Sequence, residues 1–88
     1  MDEDAVTLFR RAIELNRSFP LTHFFLAAAL AHLGRLDEAR AETQASLALD
    51  PTFTIRRFRA VAQGDNPVFL KQRERVIERM RKAGVPEG

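Results

Sequence analysis

Cysteine is absent from the 88 residues, which excludes a disulfide framework and any thiolate metal site. Long apolar runs are absent too. The longest, Leu21–Leu33, has 13 residues and holds two histidines, where a membrane-spanning helix needs about 20. It reads as a buried core helix. Basic residues are missing from the start: Met1-Asp2-Glu3-Asp4 is acidic where the n-region of a signal peptide would be positive, so no secretory leader is expected there. These absences together suggest a reducing, cytoplasmic setting. No segment alternates apolar and polar residues with period two, so no strand is expected. There is no HExxH, no phosphate-cradling glycine loop and no nucleophile elbow.

What the chain does have is an internal echo. A 34-residue offset lays Ala5 on Ala39, Leu15 on Leu49, Phe19 on Phe53 and Phe24 on Phe58. At the same offset Ala12 meets Ser46, Ile13 meets Leu47, Asn16 meets Asp50 and Ser18 meets Thr52. A period of this length marks stacked helical repeats, whose units cannot bury their apolar faces alone. Folds built this way mostly bind other proteins. A chain this short buries only about 60–65% of its unfolded surface, so its stability leans on neighbours.

Helical periodicity and its punctuation divide the chain into about five antiparallel helices. Val6, Phe9 and Ile13 recur at helical spacing over Asp4–Asn16, and Ser18-Phe19-Pro20 breaks the pattern. A nearly all-apolar helix runs from Pro20 to Leu33 and stops at Gly34. The third spans Leu36–Leu49, with Asp37 and Glu38 in its first turn and Asp50-Pro51 at its end. A fourth starts at Thr52 or Thr54 and reaches Gln63. Asn66-Pro67 opens a fifth that runs to Ala83, with Phe69-Leu70, Val76-Ile77, Met80 and Ala83 as its apolar stripe. Gly84 stops it, and Val85-Pro86-Glu87-Gly88 is expected to fray.

Charge is unevenly spread. Residues 1–51 carry 5 basic and 8 acidic side chains, and residues 52–88 carry 9 basic and 4 acidic ones, so a basic segment follows a mildly acidic body.

The stretch Pro20–Phe53 resembles a tetratricopeptide repeat. Leu26-Ala27 take the place of the family's leucine-small pair, Gly34 its turn, Ala39 the small residue opening the second helix and Pro51 the terminal proline. The run Gly34-Arg35-Leu36-Asp37-Glu38-Ala39 is typical of that turn. The sequence departs from the pattern at His23, where tryptophan is common, and at Leu30, Thr43 and Ser46. The resemblance implies an all-α, solenoid-like fragment forming a single domain over 1–88. Residues 4–19 would be the second helix of a preceding repeat, 20–53 a complete repeat, and 54–84 a divergent helix pair. The tail carries a second resemblance. Phe53-Thr54-Ile55-Arg56-Arg57, Asp65-Asn66-Pro67, Gln72-Arg73-Glu74-Arg75 and Arg81-Lys82-Ala83-Gly84-Val85-Pro86-Glu87 look like the C-terminus of bacterial class III adenylate/guanylate cyclases and related regulators that end in such repeats. That likeness implies a larger signalling protein with its catalytic domain upstream. Arginine outnumbers lysine 12 to 2, which fits a GC-rich bacterial genome.

No catalytic residue, metal or cofactor is expected in these residues, and the chain itself is not expected to be an enzyme. His23 and His32 are nine apart in one helix; about 900° of rotation puts them on opposite faces. Asp37, Glu38 and Glu42 suit a solvated helix start, and Glu78 with Lys82 a surface pair. The expected function is protein–protein contact or self-association. By repeat position the binding groove would be lined by Leu21, Phe24, Ala28 and His32 from one helix and Ile55, Phe58, Arg59 and Ala62 from the next. Its partner would be an apolar helix or an extended peptide, unless the fifth helix fills it. Val6, Phe9 and Ile13 are expected to be half covered and to drive homo-oligomerisation. One alternative is a structural cap without a ligand. Another is an anionic-surface or nucleic-acid binder using Arg56, Arg57 and Arg59 with the basic residues of the fifth helix. Nucleic acid is disfavoured, since no aromatic is interleaved there for base stacking.

Overall fold

Proline, glycine and one asparagine cut the chain into helices. The computed structural model describes the backbone of residues 2–88 and the side chains of residues 4–88. Its helices are α1 (Asp2–Leu15), α2 (Pro20–His32), α3 (Leu36–Leu49), α4 (Ile55–Val61) and α5 (Pro67–Lys82). Pro20 and Pro67 open α2 and α5, where a missing N–H leaves no bond unmade. The Asn66 Oδ1 accepts from the Val68 N–H at 2.8 Å and caps α5. Gly34 and Gly84 sit at φ +81° and +90°. After α2, Gly34 N bonds to Ala31 O and Arg35 N to Leu30 O; after α5, Gly84 N bonds to Arg81 O and Val85 N to Met80 O. This paired closure needs a left-handed residue, which glycine supplies without a Cβ penalty.

The helices pack antiparallel. α1, α3 and α5 all lie along α2, and α4 packs on α5. Ala27, Ala39 and Ser46 are fully buried at the α2–α3 contact, where their small side chains let the backbones approach. The Ser46 hydroxyl donates to the Glu42 carbonyl at 2.7 Å, which satisfies it inside its own helix. Thr43 is buried beside it with no protein partner for its hydroxyl. His23 secures the same pair from the rim. Its Nδ1 lies 2.7 Å from Glu42 Oε1 and its Nε2 lies 3.0 Å from the Arg17 carbonyl. Both partners accept, so the ring bonds both when each nitrogen carries a proton.

Two clusters fill the interior. Val6, Leu26, Ala27, Leu30, Ala39 and Ala83 form one, around α1, α2 and α3. Phe24, Ala28, Phe53, Ile55, Ile77, Met80 and Val85 form the other, between α2 and the C-terminal helices. In the second, Phe24 stacks on Phe53 with ring centroids 3.8 Å apart and ring planes 16° apart. The radius of gyration is 12.2 Å, close to the about 12 Å of a compact domain of this length. α5 therefore folds back onto α2 instead of lengthening a stack.

Two expectations are corrected here. α4 is shorter than expected, because Thr54 is its cap, accepting from the Arg57 N–H at 3.1 Å, and the helix ends at Val61. The tail does not fray. The Gly84 turn aims Val85 into the core, where it is 4% exposed. The Pro86 and Glu87 carbonyls then accept from the Ile55 and Arg56 N–H groups, each at 2.9 Å. With the Thr54 cap, that leaves none of α4's first three donors unsatisfied.

Removing residues 85–88 should lower stability by about 2–4 kcal/mol, from one buried valine and two lost hydrogen bonds. Urea denaturation of the shortened chain checks this, and a midpoint unchanged from the full chain would show the tail to be idle.

Candidate functional site

The groove expected from repeat position is occupied. Ile77 and Met80 of α5 lie against Phe24 and Ala28 of α2 and Ile55 of α4. Phe24 and Ile55 are both 0% exposed, and Ala28 is buried. These three are interior residues, not groove walls, because α5 needs cover for its own stripe and α2 offers it. Leu21 is half-buried at the edge of the same cluster. His32 stays exposed at the end of α2, with its Nε2 3.5 Å from Arg79 Nη2. Phe58 on α4 and Ala62 just after it remain half-buried. The N-terminal face is corrected at Val6, which is 3% exposed and belongs to the core, while Phe9 and Ile13 are half-buried beside it. The outward apolar residues of α1 are Leu8 and Leu15, 62% and 89% exposed.

What α5 leaves open lies beside it. One hollow of about 200 Å³ is lined by Phe25, Phe58, Ala62, Phe69, Gln72, Arg73 and Val76. A second, of about 140 Å³, is lined by Ala5, Phe9, Phe25, Ala28, Ala29, Val76 and Arg79. Phe25 and Val76 line both, so the hollows adjoin and form one trough across α1, α2, α4 and α5. Its aromatics touch in sequence. Phe9 and Phe25 have centroids 5.8 Å apart, and Phe25 meets Phe58 edge-on at 6.0 Å. Gly64 shapes one end. A Cβ there would lie 3.0 Å from the Phe69 ring, so a larger residue would push that ring aside by a few tenths of an ångström.

Phe25 and Phe69 did not figure among the expected groove residues. Phe25 sits in a helix that is apolar all round, where spacing does not single out a side. Phe69 carried a usable signal: it follows the Gly64–Pro67 turn at the very start of a stripe whose Ile77, Met80 and Ala83 are buried.

Charges around α5 are mostly bound to one another. Arg59 donates to Glu74 at 2.9 Å and Arg73 to the same carboxylate at 3.2 Å, while Arg73 also donates to the Ala62 carbonyl at 3.1 Å. The Arg59 hydrogen bond, helped by Arg73, holds the Glu74 carboxyl below its ordinary value. The same bond pushes Arg59 up and ties this expected groove residue to Glu74. Arg81 donates to Glu87 at 3.1 Å and to Glu78 at 2.8 Å. Glu78 thus pairs three residues on with Arg81 rather than four on with Lys82. The Arg81 contact holds Glu87 below the usual carboxylate range. A wide-open hollow of about 500 Å³ is lined by Arg56, Arg59, Ala60, Gln63, Gly64, Asp65 and Arg73. Two of its arginines are already engaged by Glu74.

Among the described residues no group of three or more histidines and carboxylates could hold a metal ion. No helix among them is long and apolar enough to cross a membrane.

Residues 20–53 match the tetratricopeptide repeat family, a span under half of the 88-residue chain. No curated protein and no solved structure matches the chain. The matched span is α2, α3 and the loop through Phe53, of which α2 gives the trough Phe25, Ala28 and Ala29. A repeat of this family supports a role in protein–protein contact.

Proposed function

We propose that this chain is a protein-contact module whose working surface is the phenylalanine trough, and that it performs no chemistry of its own. The observation that carries the proposal is the line of aromatics, Phe9, Phe25, Phe58 and Phe69, left partly open next to a repeat unit whose ordinary groove is filled. Aromatic residues are enriched at protein interfaces, and contiguous apolar surface on a small domain usually marks one. Its setting, on the likeness of the tail to bacterial adenylate/guanylate cyclases that end in such repeats, is the C-terminal region of a cytoplasmic signalling protein. A purely structural cap gives no reason for a rim of open phenylalanines. A nucleic-acid role for the basic segment is weakened by Arg59, Arg73 and Arg81, which are held by carboxylates.

A photo-cross-linking residue at position 69 should capture discrete partner proteins in extracts of the native host, while the same residue at the exposed Gln44 should not. Equal yields at both positions, or none at 69, would remove the trough as the contact surface.

A second reading rests on α1. Leu8 and Leu15 are two turns apart on one side of the helix, and both are open to solvent. Pairing of two copies through this face would cover them. Light scattering at high micromolar concentration should give the mass of a dimer, and Leu8→Glu with Leu15→Glu should return the monomer. A wild-type chain that stays monomeric would end this reading.

A further inference from the structure

We infer that the trough accepts an acidic segment of a partner protein, one that carries bulky apolar anchors followed by carboxylates. This rests on the reading of the trough as a contact surface, and adds the chemistry of the guest.

Size comes first. Small-molecule sites bury most of their ligand's surface, whereas the two apolar hollows, about 200 and 140 Å³, are parts of one open trough. They suit individual side chains of a larger partner. Both hollows are walled by phenylalanine, alanine and valine, so the anchors are apolar.

Charge supplies the rest. No aspartate or glutamate lines either hollow, yet each contains an arginine, Arg73 in one and Arg79 in the other. Past Arg79 the surface opens into a third hollow lined by His32, Arg75, Glu78, Arg79 and Lys82. The only carboxylate there, Glu78, is already engaged by Arg81. Among the described residues no carboxylate pairs with Arg75, Arg79 or Lys82. The trough is therefore apolar at the Phe58–Phe69 end and cationic at the Arg75–Lys82 end. A guest that matches it presents anchors to the first and carboxylates to the second. Such complementarity sets orientation and rejects basic segments, which would meet like charge. It also makes the association sensitive to salt.

The test uses the full chain and a random peptide display library of about 16 residues, long enough for four helical turns. Selection runs on the wild type, with counter-selection on Gln72→Trp, an exposed trough residue whose enlargement blocks the site without touching the core. Circular dichroism establishes that the variants remain folded. Enriched peptides are then synthesised and their affinities measured by fluorescence anisotropy. The expected outcome is a net-negative set with at least two bulky apolar residues, weakened about tenfold or more by Arg75→Glu with Arg79→Glu, weakened by added salt, and lost in Phe69→Ser. Enrichment of neutral or basic peptides, or acidic ones indifferent to the charge reversal, would overturn the acidic guest and leave the contact surface standing. No enrichment over Gln72→Trp would overturn both. Peptides that reproduce the chain's own α1 would make the guest a second copy and overturn the proposal in favour of self-assembly.

Discussion

A helix with an apolar surface all the way round cannot rest against a single partner. α2 is such a helix: from Leu26 to Ala31 every residue is buried. Each side of it must be covered, and three helices do so, α1, α3 and α5. The first two coverings are those of stacked repeats, with Ala27, Ala39 and Ser46 permitting close approach. The third is particular to this chain. Ile77 and Met80 complete the enclosure around Phe24 and Ala28, and the Gly84 turn brings Val85 in behind them. Burying three such side chains contributes roughly 1.5–3 kcal/mol each, a large share for a domain whose net stability is of order 5–15 kcal/mol.

Function follows from that enclosure. In a row of repeats the side of α2 that carries Phe24 and Ala28 would be available to a ligand. Here the chain's own last helix takes it, fastened by the tail's bonds to the start of α4. The binding surface is displaced to the seam between α5 and the older helices. That seam is where Phe25, Phe58 and Phe69 are incompletely covered, since α5 is one helix wide and must also lean on α4. The arginines on its flank are divided in the same way. Arg73 and Arg81, facing α4 and the tail, are used up together with Arg59 of α4 by Glu74, Glu78 and Glu87, while Arg75, Arg79 and Lys82 on the other flank are not.

Much of the architecture was legible in the residues. The 34-residue echo gave the repeat, and Pro20, Gly34, Asn66, Pro67 and Gly84 gave the helix ends, because each acts through local backbone chemistry. The burial of Ala27, Ala39 and Ser46 followed from position in the repeat. The site was harder to read. An all-apolar helix has no periodicity to show which neighbour meets Phe24 and which is left to Phe25, so the expected groove included three residues that are core. The tail was misread for a related reason. Gly84 announces a turn, but whether the chain turns into solvent or into the core depends on whether donors wait there, and the unpaired N–H groups of Ile55 and Arg56 lie about 30 residues away in the sequence. Val6 was expected to be only half covered, because the residues that cluster with it, Leu30 and Ala83 among them, lie far off in the sequence.

The account depends on α2 and α5 forming one cooperative unit. Native-state hydrogen exchange on the full chain and on Met80→Ala addresses this directly. Removal of that buried side chain should cost about 2–5 kcal/mol. The loss should appear equally in the amides of Phe24–Ala31 and in those of α5. If α5 loosened while the α2 amides kept their full protection, the enclosure of α2 by the last helix would not be what holds this fold together.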